Sequence, residues 1–163
     1  MGALKLYVFN IRDDRKFYKM ATIVIAIDES KFAQFAFKWY AEHLHKDGYR
    51  IILFHALENL FMKDLMGPGR HEEFNVRTEK KTAALREMYT KLAQELKINP
   101  EIRIEIVDTK PEHAIVDVAN KENAKFIVTG TRGMGAIRRT ILGSTSEFIM
   151  HHARCPVIIC KMD

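Results

Sequence analysis

The chain has 163 residues, of which 47% are hydrophobic and 29% charged, a composition that suits one compact domain with a sizeable apolar core. Its formal net charge is +5, but residues 1–20 hold five basic and two acidic side chains, which leaves only +2 for the rest. The chain has no long basic run and no recognisable zinc or RNA-binding motif, so we expect no nucleic-acid partner. Because no apolar stretch approaches roughly 18 residues, we expect no membrane span.

Residues 1–20 have charged side chains spaced too closely for the apolar centre of a secretory signal. The start, MGALKL, has Leu6 where a myristoylation pattern needs Ser or Thr. We predict that this segment is an N-terminal extension, either a partly ordered strand or the result of a start at Met1 in place of Met20. Residues 21–163 then form the domain, which we expect in the cytoplasm.

The first half of the domain alternates strand and helix patterns. Thr22–Ile27 is a β-branched run that predicts a buried strand, and apolar residues at helical spacing follow from Phe32 to His43. Tyr49–Ala56 predicts a second strand. Leu57–Asn75 contains the breakers Gly67 to Gly69 and predicts a surface loop, with a mobile flap over a ligand as the alternative.

The second half continues this alternation. An apolar stripe from Leu85 to Leu96 predicts a long helix, and Ile102–Val107 predicts a third strand. Pro111 suits the first turn of the next helix. Ala124–Thr129 and Val157–Cys160 predict the last two strands. The pattern therefore predicts an α/β fold: a single doubly wound open sheet of five mainly parallel strands, with helices on both faces.

The two cysteines, Cys155 and Cys160, lie too far apart along one extended segment to form a disulfide. Without an export signal, we expect both to be reduced, buried thiols. The seven histidines show no paired acid and nucleophile at a recognisable spacing, so the sequence predicts no catalytic set and no metal site built from protein ligands.

A glycine-rich loop follows the fourth predicted strand in the stretch TGTRGMGAIRRTILGSTS, residues 129–146. Glycine lacks a Cβ and accepts positive φ, so such a loop can turn its N–H groups toward an anion. Ser144, three residues before Glu147, fits a capping box, and a phosphate there would meet the positive end of the helix dipole. Neither a P-loop nor a GxGxxG motif is present.

Structural alternatives exist for each of these features. A single glycine more often serves a turn, and Ser144 with Glu147 can be a helix cap without any ligand. Asp28 follows the first strand, and in a sheet of this kind it would face the same crevice as Gly130. Its alternative role is to cap a helix beside Ser30.

The spacing Gly130, two residues, Gly133, nine residues, Gly143 and Ser144 resembles the ATP-binding signature of the universal stress protein family. ATIVIAIDES at residues 21–30 resembles the opening strand and acidic turn of that family, and CPVIICK at residues 155–161 resembles its closing strand. The resemblance implies an adenine nucleotide alpha-hydrolase-like fold. It spans residues 21–162, nearly the whole chain.

The resemblance also implies a ligand set. Asp28 would lie near the nucleoside, and Ala26 and Ala56 would offer backbone contacts to the base. The residues expected around ribose and phosphates are Thr129, Gly130, Arg132, Gly133, Gly143, Ser144, Thr145 and Ser146. A magnesium ion would bridge phosphate oxygens, held largely by ligand and water. The last strand would pair with its copy in a homodimer through Val157, Ile158, Ile159 and Cys160.

Three functions follow as alternatives. The first is an ATP-binding regulatory module in stress response, a role that only the resemblance implies. The second is a weak ATPase or autophosphorylating phosphotransferase, although residues 130–146 contain no carboxylate to orient water at a γ-phosphate. The third is a dimeric scaffold without nucleotide, which the intact glycine loop argues against.

Overall fold

The structure is a computed structural model that describes residues 6–9, 21–59, 71–131 and 142–162, with the backbone alone for residues 6–9 and 71–74. Ten elements follow one another along the described chain. They are β1 (Leu6–Phe9), β2 (Thr22–Ala26), α1 (Lys31–His43), β3 (Arg50–Glu58), α2 (His71–Glu95), β4 (Glu101–Val107), α3 (Pro111–Lys121), β5 (Phe126–Gly130), α4 (Ser144–His152) and β6 (Val157–Cys160).

All six strands form one sheet in the order β1-β6-β5-β2-β3-β4. β2 to β6 run parallel to one another, and β1 pairs antiparallel with β6 at one edge. The predicted sheet of five mainly parallel strands is therefore confirmed. β1, within residues 1–20, adds a sixth strand to this sheet.

Side chains alternate between the two faces of a sheet, so one strand can supply two hydrophobic cores. Along β2, Ile23 and Ile25 pack in the core beneath α1 and α2, whereas Val24 packs in the core beneath α3 and α4. Phe37 and Tyr89 fill the first core and Ile149 the second, and all three are fully buried. Helices thus cover both faces, as the apolar strand patterns predicted.

The boundaries of β3, α2 and α4 correct two predictions. Residues 57–75 do not form one long loop, because β3 continues to Glu58 and α2 already begins at His71. The remaining residues 60–70, and with them the predicted flap, lie outside the described part of the chain. Ser144 is also not the N-cap of its helix: Gly143 holds that position, and it makes no side-chain cap hydrogen bond.

The amino ends of the parallel strands carry a network of four charges. Arg50 donates to Glu122 at 2.5 Å and to Glu101 at 2.8 Å. Arg103 donates to the same two carboxylates, at 2.6 Å and 2.5 Å. Hydrogen bonds from these arginines hold the pKa of both carboxyls below the usual 4.5. The network ties β3 and β4 to the end of α3.

The edge of β6 differs from the prediction. Val157 to Cys160 were expected to offer an open edge to a second copy, but β1 pairs with all four residues. The predicted homodimer would therefore need an edge that the chain itself occupies. Cys155 and Cys160 are free thiols, but only Cys160 is buried as expected, whereas Cys155 is half-buried. Burial raises the pKa of Cys160 to about 12. None of the helices in the described ranges combines the length and apolarity of a membrane span.

Candidate functional site

The candidate site lies where the strand order reverses, beyond the carboxyl ends of β2 and β5. These two strands are parallel neighbours, with Ile25 opposite Val128, so the segments after them emerge at the same end of the sheet. α1 then packs on one face and α4 on the other. In open α/β sheets this reversal opens the crevice in which ligands bind. The fold therefore brings Asp28 and Gly130, which are far apart in sequence, to one crevice.

Asp28 braces the turn that leads from β2 into α1. Its Oδ1 accepts a hydrogen bond from the Ser30 N–H at 2.9 Å, and the Ser30 Oγ accepts one from the Ala33 N–H at 3.2 Å. Ser30 is thus the N-cap of α1, and Asp28 supports the cap without being the cap itself. The Asp28 side chain is half-buried, and among the described residues only its Oδ1 accepts a hydrogen bond, so Oδ2 can accept from a ligand hydroxyl.

Two side chains that sequence analysis did not assign to the site form hydrogen bonds with backbone carbonyls of this turn. His55 Nδ1 lies 2.7 Å from the Ile27 carbonyl oxygen. A carbonyl only accepts, so Nδ1 carries the hydrogen. The Tyr89 hydroxyl donates to the Asp28 carbonyl at 3.0 Å. Burial, together with the nearby Asp28, raises the pKa of Tyr89 well above its usual 10.0, so the hydroxyl remains a donor.

Only the fold reveals these two contacts. His55 is on β3 and Tyr89 is on α2, so each reaches the turn through tertiary packing. The one available sequence signal is that Tyr89 stands four residues after Leu85, on the apolar face of its helix. That position predicts burial but does not reveal the partner of the hydroxyl.

Gly130 ends β5 in close contact with the first turn of α1. A Cβ at this position would lie 2.8 Å from the Phe32 carbonyl oxygen and 2.9 Å from the Phe32 carbonyl carbon. Both are backbone atoms that cannot rotate away. Close approach of helix and strand therefore requires glycine here, independently of any phosphate.

Ser146 connects α4 to the same strand end. Its hydroxyl donates to the Gly130 carbonyl at 2.7 Å, and the residue is buried. The hydroxyl hydrogen is thus used within the protein, which makes Ser146 a brace for the loop. Thr129 is also buried, and its hydroxyl lies 3.3 Å from the same carbonyl.

The amino end of α4 faces the crevice without a side-chain cap. The Gly143 N–H donates to the Thr131 carbonyl at 2.8 Å, which joins the helix start to the end of β5. The Glu147 N–H makes the first helical bond, to the Gly143 carbonyl at 2.9 Å. No described residue accepts a hydrogen bond from the N–H of Ser144 or Thr145. These N–H groups and the helix dipole suit an anion.

The other predicted ligands fall into two groups. Ala26 and Ala56 end up near each other, because Ala26 pairs with Phe54, two residues before Ala56, and both alanines are buried. Arg132 and Gly133 lie outside the described residues. Within the described ranges, no three His, Cys, Asp or Glu side chains cluster as metal ligands would.

Comparison with known proteins places this geometry in a family. Residues 20–161 match the model of the universal stress protein family. A universal stress protein of Methanocaldococcus jannaschii is 28% identical over 161 residues, which cover 98% of this chain and 92% of that protein.

Solved structures have the same fold. Universal stress protein UspA from Lactobacillus plantarum superposes with a TM-score of 0.75 at 20% identity, covering 88% of this chain and 99% of that one. A family member from Arabidopsis thaliana with AMP bound gives 0.63 at 21% identity, covering 88% and 92%. The universal stress protein from Archaeoglobus fulgidus in complex with dAMP gives 0.63 at 22%, covering 87% and 98%.

Proposed function

Because the chain belongs to the universal stress protein family, we propose that it binds an adenine nucleotide, ATP in first place, and acts as a nucleotide-responsive regulatory module in stress response. The observation that carries the proposal is the amino end of α4, uncapped and joined through Gly143 to the end of β5. A phosphate there would accept from backbone N–H groups that the helix itself leaves unused.

The choice of nucleotide is supported by relatives of the same fold. Two of them bind adenine nucleotides, AMP in the Arabidopsis thaliana protein and dAMP in the Archaeoglobus fulgidus protein. Phosphate chemistry alone would not select a base. The buried alanines Ala26, at the end of β2, and Ala56, two residues before the end of β3, leave backbone groups there rather than long side chains, which suits a flat ring.

Each predicted ligand then has a role. Asp28 accepts through Oδ2 from a ribose hydroxyl, while Ser144 and Thr145 donate backbone N–H groups to phosphate. Gly130, Thr129 and Ser146 shape the loop through the shared carbonyl contact. Arg132, Gly133 and Gly143 complete the phosphate loop. Magnesium neutralises phosphate charge and is coordinated mainly by the nucleotide and water.

We propose binding without rapid turnover. Phosphoryl transfer needs a group that positions the attacking water or hydroxyl. Asp28 uses one oxygen in the α1 turn, and Glu147 is exposed on α4. Slow hydrolysis or autophosphorylation at Ser144 remains the alternative. Phosphopeptide mapping after incubation with ATP tests it, and the absence of a modified residue would reject it.

The proposal includes a cytoplasmic location, consistent with the reduced thiols of Cys155 and Cys160. Homodimer formation through β6 is compatible with the structure only if β1 leaves that edge. A dimeric scaffold without nucleotide is the remaining alternative.

Calorimetric titration of nucleotide-free protein with ATP and magnesium tests the proposal, with GTP as the matched control for the base. We expect micromolar binding of ATP and weaker binding of GTP. AMP, titrated in the same way, should also bind. Equal binding of ATP and GTP would reject the adenine site. A folded protein that binds no nucleotide would reject the proposed function and favour the scaffold.

A further inference from the structure

We propose that β1 is an internal cap on β6, and that it competes with a second copy of this chain for the same edge. β1 lies within the N-terminal extension, residues 1–20, outside the segment that matches the family model. The proposal concerns assembly and does not depend on nucleotide binding. It predicts that the extension keeps the chain monomeric.

The pairing of β1 uses the whole length of β6. Leu6 lies opposite Cys160 and Phe9 lies opposite Val157, so all four residues of β6 have a partner in β1. On its other side, β6 pairs with β5 from Val157 to Cys160. With β1 in place, β6 is an inner strand. Without β1, it would be an apolar edge strand with unpaired N–H and C=O groups, which readily pairs with another chain.

The connection back to the domain is long enough for β1 to pair within its own chain. β1 is antiparallel to β6, so Phe9 lies at the end of the sheet where β6 and β2 begin. Three strand spacings, roughly 14 Å, separate β1 from β2. The chain between Phe9 and Thr22 can span about 40 Å when fully extended. Because both ends of this connection lie at the same end of the sheet, it does not have to run along the length of a strand.

Tethering gives β1 an advantage over a second copy. A strand joined by a short connection has an effective concentration of order mM at its site. A second copy in solution at about 1–10 μM would need to bind the edge roughly 100- to 1,000-fold more tightly than β1 to displace it. Both partners would bond to the same backbone groups, so the two pairings exclude each other.

The first test compares the full chain with a chain that begins at Met20, by sedimentation velocity without nucleotide. We expect the full chain to sediment as a monomer and the shortened chain as a dimer at micromolar concentration. A full chain that is dimeric, or a folded shortened chain that stays monomeric, would overturn the proposal.

A disulfide test does not depend on how well the shortened chain folds. Directly opposite residues of an antiparallel pair have Cα atoms about 4.5–5.5 Å apart, within the range of a disulfide. In the full chain with Cys155→Ser, the change Leu6→Cys therefore places a thiol opposite the native Cys160. Because the buried Cys160 thiol has a raised pKa and reacts slowly, oxidation by dissolved oxygen is run to completion with a copper catalyst.

The matched control is Tyr7→Cys in the same background, because position 7 lies opposite Ile159 and points its thiol to the other face of the sheet. We expect a bond within one chain for Leu6→Cys and none for the control, by non-reducing electrophoresis and peptide mapping. A bond between two chains would show that β1 is exchanged between copies, and no bond would show that β1 does not occupy this edge. Either result would overturn the proposal.

Discussion

Substituting Gly130 by alanine tests whether helix packing, in addition to any ligand, requires glycine at the end of β5. The added Cβ would lie 2.8 Å from the Phe32 carbonyl oxygen, 2.9 Å from its carbonyl carbon and 3.1 Å from its Cβ. The two shortest contacts are to backbone atoms in the first turn of α1. Relief requires that α1 or the strand end move.

The expected cost follows from that geometry. Overpacking of a well-packed interior by one carbon costs about 1–3 kcal/mol, and rigid backbone neighbours favour the upper half of this range. In a domain of this size, about 1 kcal/mol corresponds to roughly 2–4 °C in Tm. We therefore expect Gly130→Ala to lower the Tm of nucleotide-free protein by roughly 4–12 °C.

Differential scanning calorimetry without nucleotide measures this shift. Gly48→Ala is the matched control, because a Cβ there meets no atom within 4 Å, although φ is +83°. Strain from the left-handed φ should cost Gly48→Ala about 1–2 kcal/mol, so its Tm should fall less than that of Gly130→Ala. If Gly130→Ala melts like the parent, the packing account of Gly130 is wrong.

Two further predictions concern the bracing of the site and the charge network. Tyr89→Phe removes the donor to the Asp28 carbonyl. We therefore expect the free energy of unfolding in urea to fall by about 0.5–1.5 kcal/mol and ATP binding in calorimetry to weaken. Unchanged values would reject the bracing role. The pKa values of Glu101 and Glu122 are lowered in the folded state, so their stabilising effect is complete above the usual 4.5 and is lost as the pH falls through the folded values. We therefore expect the Tm to fall below pH 5 and to fall less steeply in Glu122→Gln, whereas parallel pH profiles of parent and variant would contradict the role of the network.

The fold could be predicted because its signals are local. Alternation of strand and helix periods identified all five parallel strands, and the β-branched run of Thr22–Ile27 predicted a strand buried on both faces. Pro111 is at the start of its helix, where its missing N–H costs nothing. The resemblance at residues 21–30, 130–144 and 155–161 then identified the family.

What the sequence could not provide depends on tertiary contacts. Nothing near Gly130 indicates that Phe32 packs against it, and nothing near His55 or Tyr89 indicates that they hold the turn at Asp28. The Ser144 cap was wrong by one position, because a serine beside the first turn has the same local pattern as a true cap. The sequence left β1 open to two interpretations, because a four-residue strand forms only when a sheet edge is available to pair with it, and here that edge is β6.

The most direct test of the central claim is ATP titration of Ser144→Pro and Ser144→Ala. Proline removes one N–H that the helix does not use, and it is tolerated at the first helical position. Gly143, with φ −70° and ψ 149°, already has the conformation favoured before proline. Alanine keeps the N–H and removes only the hydroxyl, so it is the matched control.

Loss of a hydrogen bond to a charged group costs about 1.5–3 kcal/mol, so we expect Ser144→Pro to weaken ATP binding roughly 10- to 100-fold. Ser144→Ala should bind within a few-fold of the parent, and both variants should keep the parent Tm. ATP binding by a well-folded Ser144→Pro with the affinity of the parent would contradict the claim that the amino end of α4 holds the phosphate.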